Sequence, residues 1–289
     1  MDQKTPRNQT SRLATVGALL LGLAGTAAAQ QSLQLTRQDQ KAVAVTAYTP
    51  GTGTCRGIAI ISPGAGGSET GYRYLGDVMA SLGYMSLVVG HQESGRDAVR
   101  DRVRGRGLRE GLATLITEPE AYRGRFMDIA AARRWAQERC EGGESVLIGH
   151  SMGAATVMME AGARNKLGVQ GDDSFGAYIA LSPQGAGSIF PKNAWSDIRK
   201  PALLLTGTRD TELGGDSWAT RTEPFGNMPP GCKWLGVISG ATHLNLAGAG
   251  ISGKTEVLAA QTIRAFLHGV HKGDCSPPGR IVGVDLSAK

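Results

Sequence analysis

Gly149-His150-Ser151-Met152-Gly153 is the first place where this chain could form a covalent bond. Glycine is abundant, at 42 residues, so the bare G-x-S-x-G pattern says little and its setting decides. The apolar run Ser145-Val146-Leu147-Ile148 leads straight into the pattern, and the segment Ala154–Gly162 leaves it with helical character. A strand, a sharp turn and a helix in that order would push the serine hydroxyl out at the end of a sheet. Small flanking residues let the chain bend, and the helix N-terminus offers its positive dipole end to developing negative charge.

A serine hydroxyl is a poor nucleophile near neutral pH, so it needs a base, and the base needs an anion to fix its tautomer. Where a serine is presented in this way, the acid follows it in the chain and the histidine comes last. Pro201-Ala202-Leu203-Leu204-Leu205 reads as a strand, and the loop after it ends in Asp210, with Glu212 and Asp216 as alternatives. Trp234–Ile238 reads as the next strand, and Gly240-Ala241-Thr242-His243 follows it. His268 and His271 end the last helical stretch, far from that edge. His91 precedes the serine, and His150 within the turn is expected to pack. His243 is therefore the expected base and Asp210 its orienter. Ser62-Pro63-Gly64-Ala65-Gly66-Gly67-Ser68 follows the apolar strand Gly57–Ile61. Its glycines would let backbone N–H groups face a reacting carbonyl, with Ala65 and Met152 as the expected oxyanion donors.

The elements that must position these residues alternate along the chain. Leu33–Arg37 and Ala42–Tyr48 suggest an antiparallel pair. Gly57–Ser62 and Tyr84–Val89 are continuous apolar runs, as expected for strands covered on both faces. Tyr72–Leu82, Phe126–Glu138 and Thr255–Leu267 have helical spacing, and Phe175–Leu181 reads as a strand. This order predicts an α/β protein with a mainly parallel sheet and helices on both faces, binding its ligand at the carboxyl ends of the strands. One connection is long. Roughly 35 residues separate Val89 from Phe126, against a usual 2–6. The insertion, at about 92–125, carries Arg96, Arg100, Arg102, Arg104, Arg106 and Arg109. It reads either as a solvated helical face or as a lid or wall of the substrate cleft.

The first residues read as a signal peptide, residues 1–29. Lys4, Arg7 and Arg12 precede the apolar run Leu13–Ala24, and Thr26-Ala27-Ala28-Ala29 supplies small residues for cleavage near Gln30. Residues 30–289 then form a single domain of ample size to build its own core. The run is short for a stable membrane anchor. The expected compartment is the periplasm or the exterior, where four cysteines, Cys55, Cys140, Cys232 and Cys275, form two disulfides of open pairing. They lack CxxC metal spacing, and no metal or organic cofactor is expected. The processed chain would carry 28 Lys+Arg against 24 Asp+Glu, which gives no reason to expect a nucleic-acid partner.

From about Gly57 to Leu246 the chain resembles α/β-hydrolases of the dienelactone-hydrolase-like kind. It is also similar to platelet-activating-factor acetylhydrolases and bacterial polyester hydrolases. The resemblance rests on the Ser62–Gly67 loop, His91 after its strand, Arg125-Phe126-Met127-Asp128-Ile129, the Gly149–Gly153 turn, Leu181-Ser182-Pro183-Gln184, Gly207–Asp210 and Ala241-Thr242-His243. Dienelactone hydrolases proper have a cysteine where Ser151 stands. The resemblance implies an eight-stranded sheet and hydrolysis of a small-molecule or polymeric ester through an acyl-enzyme on Ser151. Placed on that fold, the cysteines are expected to pair as Cys55–Cys140 and Cys232–Cys275. An amidase or peptidase would use the same triad. The reading from another class is a binding protein on the hydrolase scaffold, against which the three residue types in the right order speak.

Overall fold

The computed structural model describes residues 1–2, 29–51, 55–212 and 214–289. All but the ends of the expected signal peptide therefore lies outside the described residues.

The sheet is built from β1 (Ala29–Thr36), β2 (Ala42–Thr49), β3 (Gly57–Ser62), β4 (Tyr84–Val89), β5 (Glu144–His150), β6 (Ala177–Leu181), β7 (Ala202–Arg209), β8 (Lys233–Thr242) and β9 (Val284–Ala288). Their spatial order is β1-β2-β4-β3-β5-β6-β7-β8-β9. From β4 to β8 every neighbouring pair is parallel. β1 and β2 extend one side antiparallel, and β9 pairs antiparallel with β8 on the other. The sheet thus has nine strands, not the eight expected. The addition, Val-Asp-Leu-Ser-Ala, is short and only Val284 is fully buried, so its sequence carries little of the apolar signal that marked the inner strands.

β3, β4 and β6 are buried along their whole length, as their continuous apolar runs require. One face is covered by α4 (Pro119–Gln137) and α5 (Met152–Glu160), which close a core holding Ile58, Ile60, Leu87, Ala132 and Met158. The other is covered by α1 (Arg73–Ser81) and α8 (Lys254–Lys272), which enclose Ile61, Val88, Ile148, Leu205 and Phe266. α4 begins at Pro119, earlier than the helix expected from Phe126, because proline is well suited to a first helical turn.

The arginine-rich connection is largely helical, with α2 (Arg96–Val103) and α3 (Leu108–Leu115). α2 buries none of its residues, in keeping with its charge. Arg102 pairs with Glu118 at 2.6 Å, and Arg109 reaches the carbonyl of Gly214 at 2.7 Å. Two short helices, α6 (Glu223–Asn227) and α7 (His243–Leu246), flank β8. Cys55 is bonded to Cys140 and Cys232 to Cys275. No helix among the described residues is long and apolar enough to cross a membrane.

Candidate active site

Ser151 sits between the end of β5 and the start of α5 with φ 55° and ψ −118°, a strained conformation for a side chain other than glycine. Its flanking glycines are dictated by space. A Cβ on Gly153 would lie 2.0 Å from the Ser62 carbonyl oxygen, and one on Gly149 would lie 2.2 Å from that of Gly153. Ser151 N–H donates to Leu181 O at 3.0 Å, which ties the turn to the neighbouring strand.

The glycine-rich loop after β3 runs against this serine, since a Cβ on Gly64 would come within 3.2 Å of Ser151 Cβ. Its donors can be accounted for one by one. Pro63 has none. Gly64 N–H donates to the Tyr72 hydroxyl at 3.0 Å, Gly66 N–H to Ser94 O at 2.8 Å, and Gly67 N–H to Gly64 O at 3.0 Å. Ala65 N–H alone in Pro63–Gly67 makes no hydrogen bond among the described residues. Met152 N–H, first in α5, has no partner within its helix. The two N–H groups named from sequence are therefore free to meet a ligand.

Asp210 follows β7 and is fully buried. His243 Nδ1 donates to its Oδ1 at 2.9 Å, and Thr206 Oγ1 donates to Oδ2 at 3.0 Å. Burial pushes the carboxyl up, but the His243 hydrogen bond and the Arg221 charge together outweigh it and hold Asp210 below its ordinary value. β8 runs on to Thr242, so His243 opens α7 and does not sit in a free loop. Thr242 caps that helix in a reciprocal box with Asn245, which fixes the direction in which the imidazole leaves the sheet. With Nδ1 committed to Asp210, Nε2 is the nitrogen left for a substrate or a serine.

The Ser151 hydroxyl makes no hydrogen bond among the described residues. The structure nevertheless brings the two loops together through His150. Its Nε2 lies 3.0 Å from the His243 carbonyl oxygen, its Nδ1 2.9 Å from the Tyr72 hydroxyl, and its ring 4.6 Å from that of His243. With Nε2–H donating to His243, Nδ1 accepts from Tyr72, which in turn receives Gly64 N–H. A single chain of bonds links the glycine-rich loop after β3 to His243. Burial and the His243 charge push His150 down to about 3, so it stays neutral.

Two groups were not assigned a part from sequence. Arg221 is buried beside Asp210, with Nε 3.0 Å from Oδ1. It also donates to the carbonyls of Asp210, Ser182, Pro183 and Thr211, clamping the loops after β6 and β7. No apolar periodicity marks it, since it belongs to a short 3-10 helix, Trp218–Thr222. The other group is a second serine–histidine–aspartate chain. Ser62 Oγ meets His91 Nε2 at 2.9 Å, and His91 Nδ1 meets Asp128 Oδ2 at 2.9 Å. It is anchored by Arg37, whose Nη1 lies 3.2 Å from Asp128 Oδ1, and all of it is buried. Arg125-x-x-Asp128 at helical spacing was visible in the sequence, but its partners were not.

Strand order, helices on both faces and a serine turn at the carboxyl end of β5 define the α/β-hydrolase fold. No family model matches the chain. Its sequence is similar to "Cutinase est1" of Thermobifida alba, at 25% identity over 200 residues, 68% of this chain and 57% of that protein. It is likewise similar to "Cutinase 2" of Thermobifida cellulosilytica, at 27% identity, 68% of this chain and 64% of that protein. The chain thus spans less than two thirds of the length of these relatives. A solved structure of a PEG-bound cold-adapted esterase from an Arctic intertidal metagenomic library shares the fold. Its TM-score is 0.57 at 15% identity, over 82% of this chain and 93% of that one.

Proposed function

We propose that this protein is a secreted serine hydrolase that cleaves carboxylic esters through an acyl-enzyme on Ser151. The observation that carries the reading is the convergence at one sheet rim of a strained, half-buried serine, a histidine bonded to a buried carboxylate, and two free backbone N–H groups. The similarity to cutinases and the fold shared with an esterase support the ester bond as the target.

In this reading Ser151 Oγ attacks the ester carbonyl carbon as its proton passes to His243 Nε2. Asp210 holds the imidazolium, and the carbonyl oxygen, now negative, is received by Ala65 and Met152 N–H. Each such donor contributes about 3 kcal/mol to the transition state. Collapse expels the alcohol, which takes the proton from His243. Water then repeats the sequence in reverse and releases the acid. Because the cutinase relatives are named for a polymeric ester, polyesters belong among the substrates to be tried. The two disulfides support export, which N-terminal sequencing of the secreted chain would check.

The decisive experiment is a chain-length series of p-nitrophenyl esters with Ser151→Ala as control, followed by a polyester film. Turnover by the wild type and its loss in the variant are expected. Equal inertness of both on esters and amides would end the reading in favour of a binding protein.

A further inference from the structure

Arg125 has an environment that stability alone does not explain. Its side chain is fully buried in α4, and among the described residues no carboxylate lies within ion-pairing distance. Burial pushes its pKa down to about 10, so at neutral pH the guanidinium is still charged. A buried cation without a carboxylate partner is expensive, and an apolar side chain of similar volume would usually serve a core better. What the guanidinium does is specific. Nη1 donates to the carbonyl oxygen of Pro63 at 2.7 Å and to Ser62 Oγ at 3.1 Å.

Those two acceptors begin the loop that carries Ala65. Pro63 O belongs to the peptide unit before Gly64, so fixing it sets the plane from which the Ala65 N–H is aimed. The serine that Arg125 also touches is itself held, since Ser62 donates to His91 and His91 to Asp128. Burial and the Arg125 and Arg37 charges hold His91 well below its ordinary value, so the ring is neutral and Nε2 accepts. Arg37 then ties Asp128 to the β1–β2 turn. The loop is thereby braced against α4, the end of β4 and the β1–β2 turn. On its other side Gly64 is held by Tyr72 and Gly66 by Ser94. Ala65 N–H takes no part in this bracing and makes no hydrogen bond among the described residues.

Building on the Ser151 hydrolase reading, we infer that Arg125 is a positioning residue for the oxyanion loop, acting through Pro63 and Ser62 to aim the Ala65 N–H. Its hydrogen bonds go to Ser62 and Pro63, and none to Ser151. Its removal should therefore weaken transition-state binding and leave ground-state binding almost unchanged.

The test compares wild type, Arg125→Met and Arg125→Lys on p-nitrophenyl butyrate, with amide hydrogen exchange of the intact proteins resolved by peptide. In Arg125→Met, kcat should fall about 10- to 100-fold with KM within about twofold. Lysine, which keeps the charge and can reach one acceptor, should restore part of kcat. Exchange should quicken at residues 64–67 and not in β9. A folded Arg125→Met with wild-type kcat overturns the inference. So does a variant in which kcat, KM and exchange across the whole sheet deteriorate together. Should Arg125→Met fail to fold, the lysine variant decides alone, by a fall in kcat at constant KM or its absence. Failure of the hydrolase reading looks different. Wild type would then be inert to esters and unlabelled at Ser151 by a nitrophenyl phosphonate, and the exchange contrast at 64–67 would still settle whether Arg125 holds the loop.

Discussion

Two serine–histidine–aspartate sets lie at the carboxyl edge of this sheet, and their difference is instructive. In Ser62–His91–Asp128 both hydrogen bonds are made, at 2.9 Å each. In Ser151–His243–Asp210 only the bond between His243 and Asp210 is made, at 2.9 Å. By bond count alone the first looks better built for catalysis. Yet its serine is sealed, already accepts from Arg125, and leans on a histidine that burial and two arginines keep from taking a proton. The second keeps Asp210 buried and its imidazole a third exposed, with a half-buried serine beside unused N–H donors. Residue types and bond order do not by themselves make a nucleophile. On the proposed reading, exposure of the histidine and open N–H donors separate the Ser151 set from the sealed Ser62 set.

The largest expected effect tests this contrast directly. Ser151→Ala should lower kcat by about 10⁴-fold or more, whereas Ser62→Ala should lower it by less than about tenfold, read in parallel ester assays. A phosphonate adduct mapped to residue 62 by mass spectrometry would invert the comparison. The aspartates come next. Asp210→Asn should cut kcat by about 10⁴-fold by freeing the wrong tautomer of His243. Asp128→Asn should instead cost about 1–3 kcal/mol in urea unfolding, with kcat within about tenfold of wild type.

The pH response should carry opposite signs in the two regions. His150, beside Ser151, is pushed down to about 3 by burial and by the His243 charge, so it stays neutral in the folded state while an unfolded histidine protonates below about 6.5. Its contribution to stability is therefore lost as pH falls from 6.5 towards 3. The destabilisation caused by His150→Gln should accordingly shrink by about 2–3 kcal/mol between pH 8 and pH 4.5. Asp128 is pushed up to about 7 by burial against the opposing Arg37 charge, so its contribution is full below about 4 and is lost as pH rises through 7. Asp128→Asn should thus become less destabilising as pH rises over that range. The same sign for both variants in denaturation curves would contradict the assignment. The smallest effect sharpens the acid's role. Thr206→Val removes one hydrogen bond to Asp210 and should cost about 1 kcal/mol, a several-fold fall in kcat, in the same ester assay.

The sequence made some of this legible and concealed the rest for physical reasons. β3, β4 and β6 announce themselves because strands covered on both faces must be apolar throughout, and the glycines around Ser151 stand where any side chain would strike backbone. Asp210 and His243 could be picked out because few acids and histidines follow strands downstream of the serine. Arg221 could not, since a single short 3-10 helix, too brief to show a periodic pattern, brings it to Asp210. Nor could the role of His91, whose partners Ser62, Asp128 and Arg37 lie in separate elements and meet only when the sheet closes. The start of α4 was readable from Pro119, a signal that the apolar periodicity beginning further along overshadowed.

β9 has a consequence for how neighbouring molecules meet. Without it, the long strand β8 would present a row of open backbone donors and acceptors, a template on which a second chain could stack. The antiparallel pairing from Trp234–Ala288 to Ile238–Val284 satisfies that row from within. What then faces outward is a short ribbon with Asp285 exposed, a poor seed for intermolecular sheet growth and so a safeguard against aggregation.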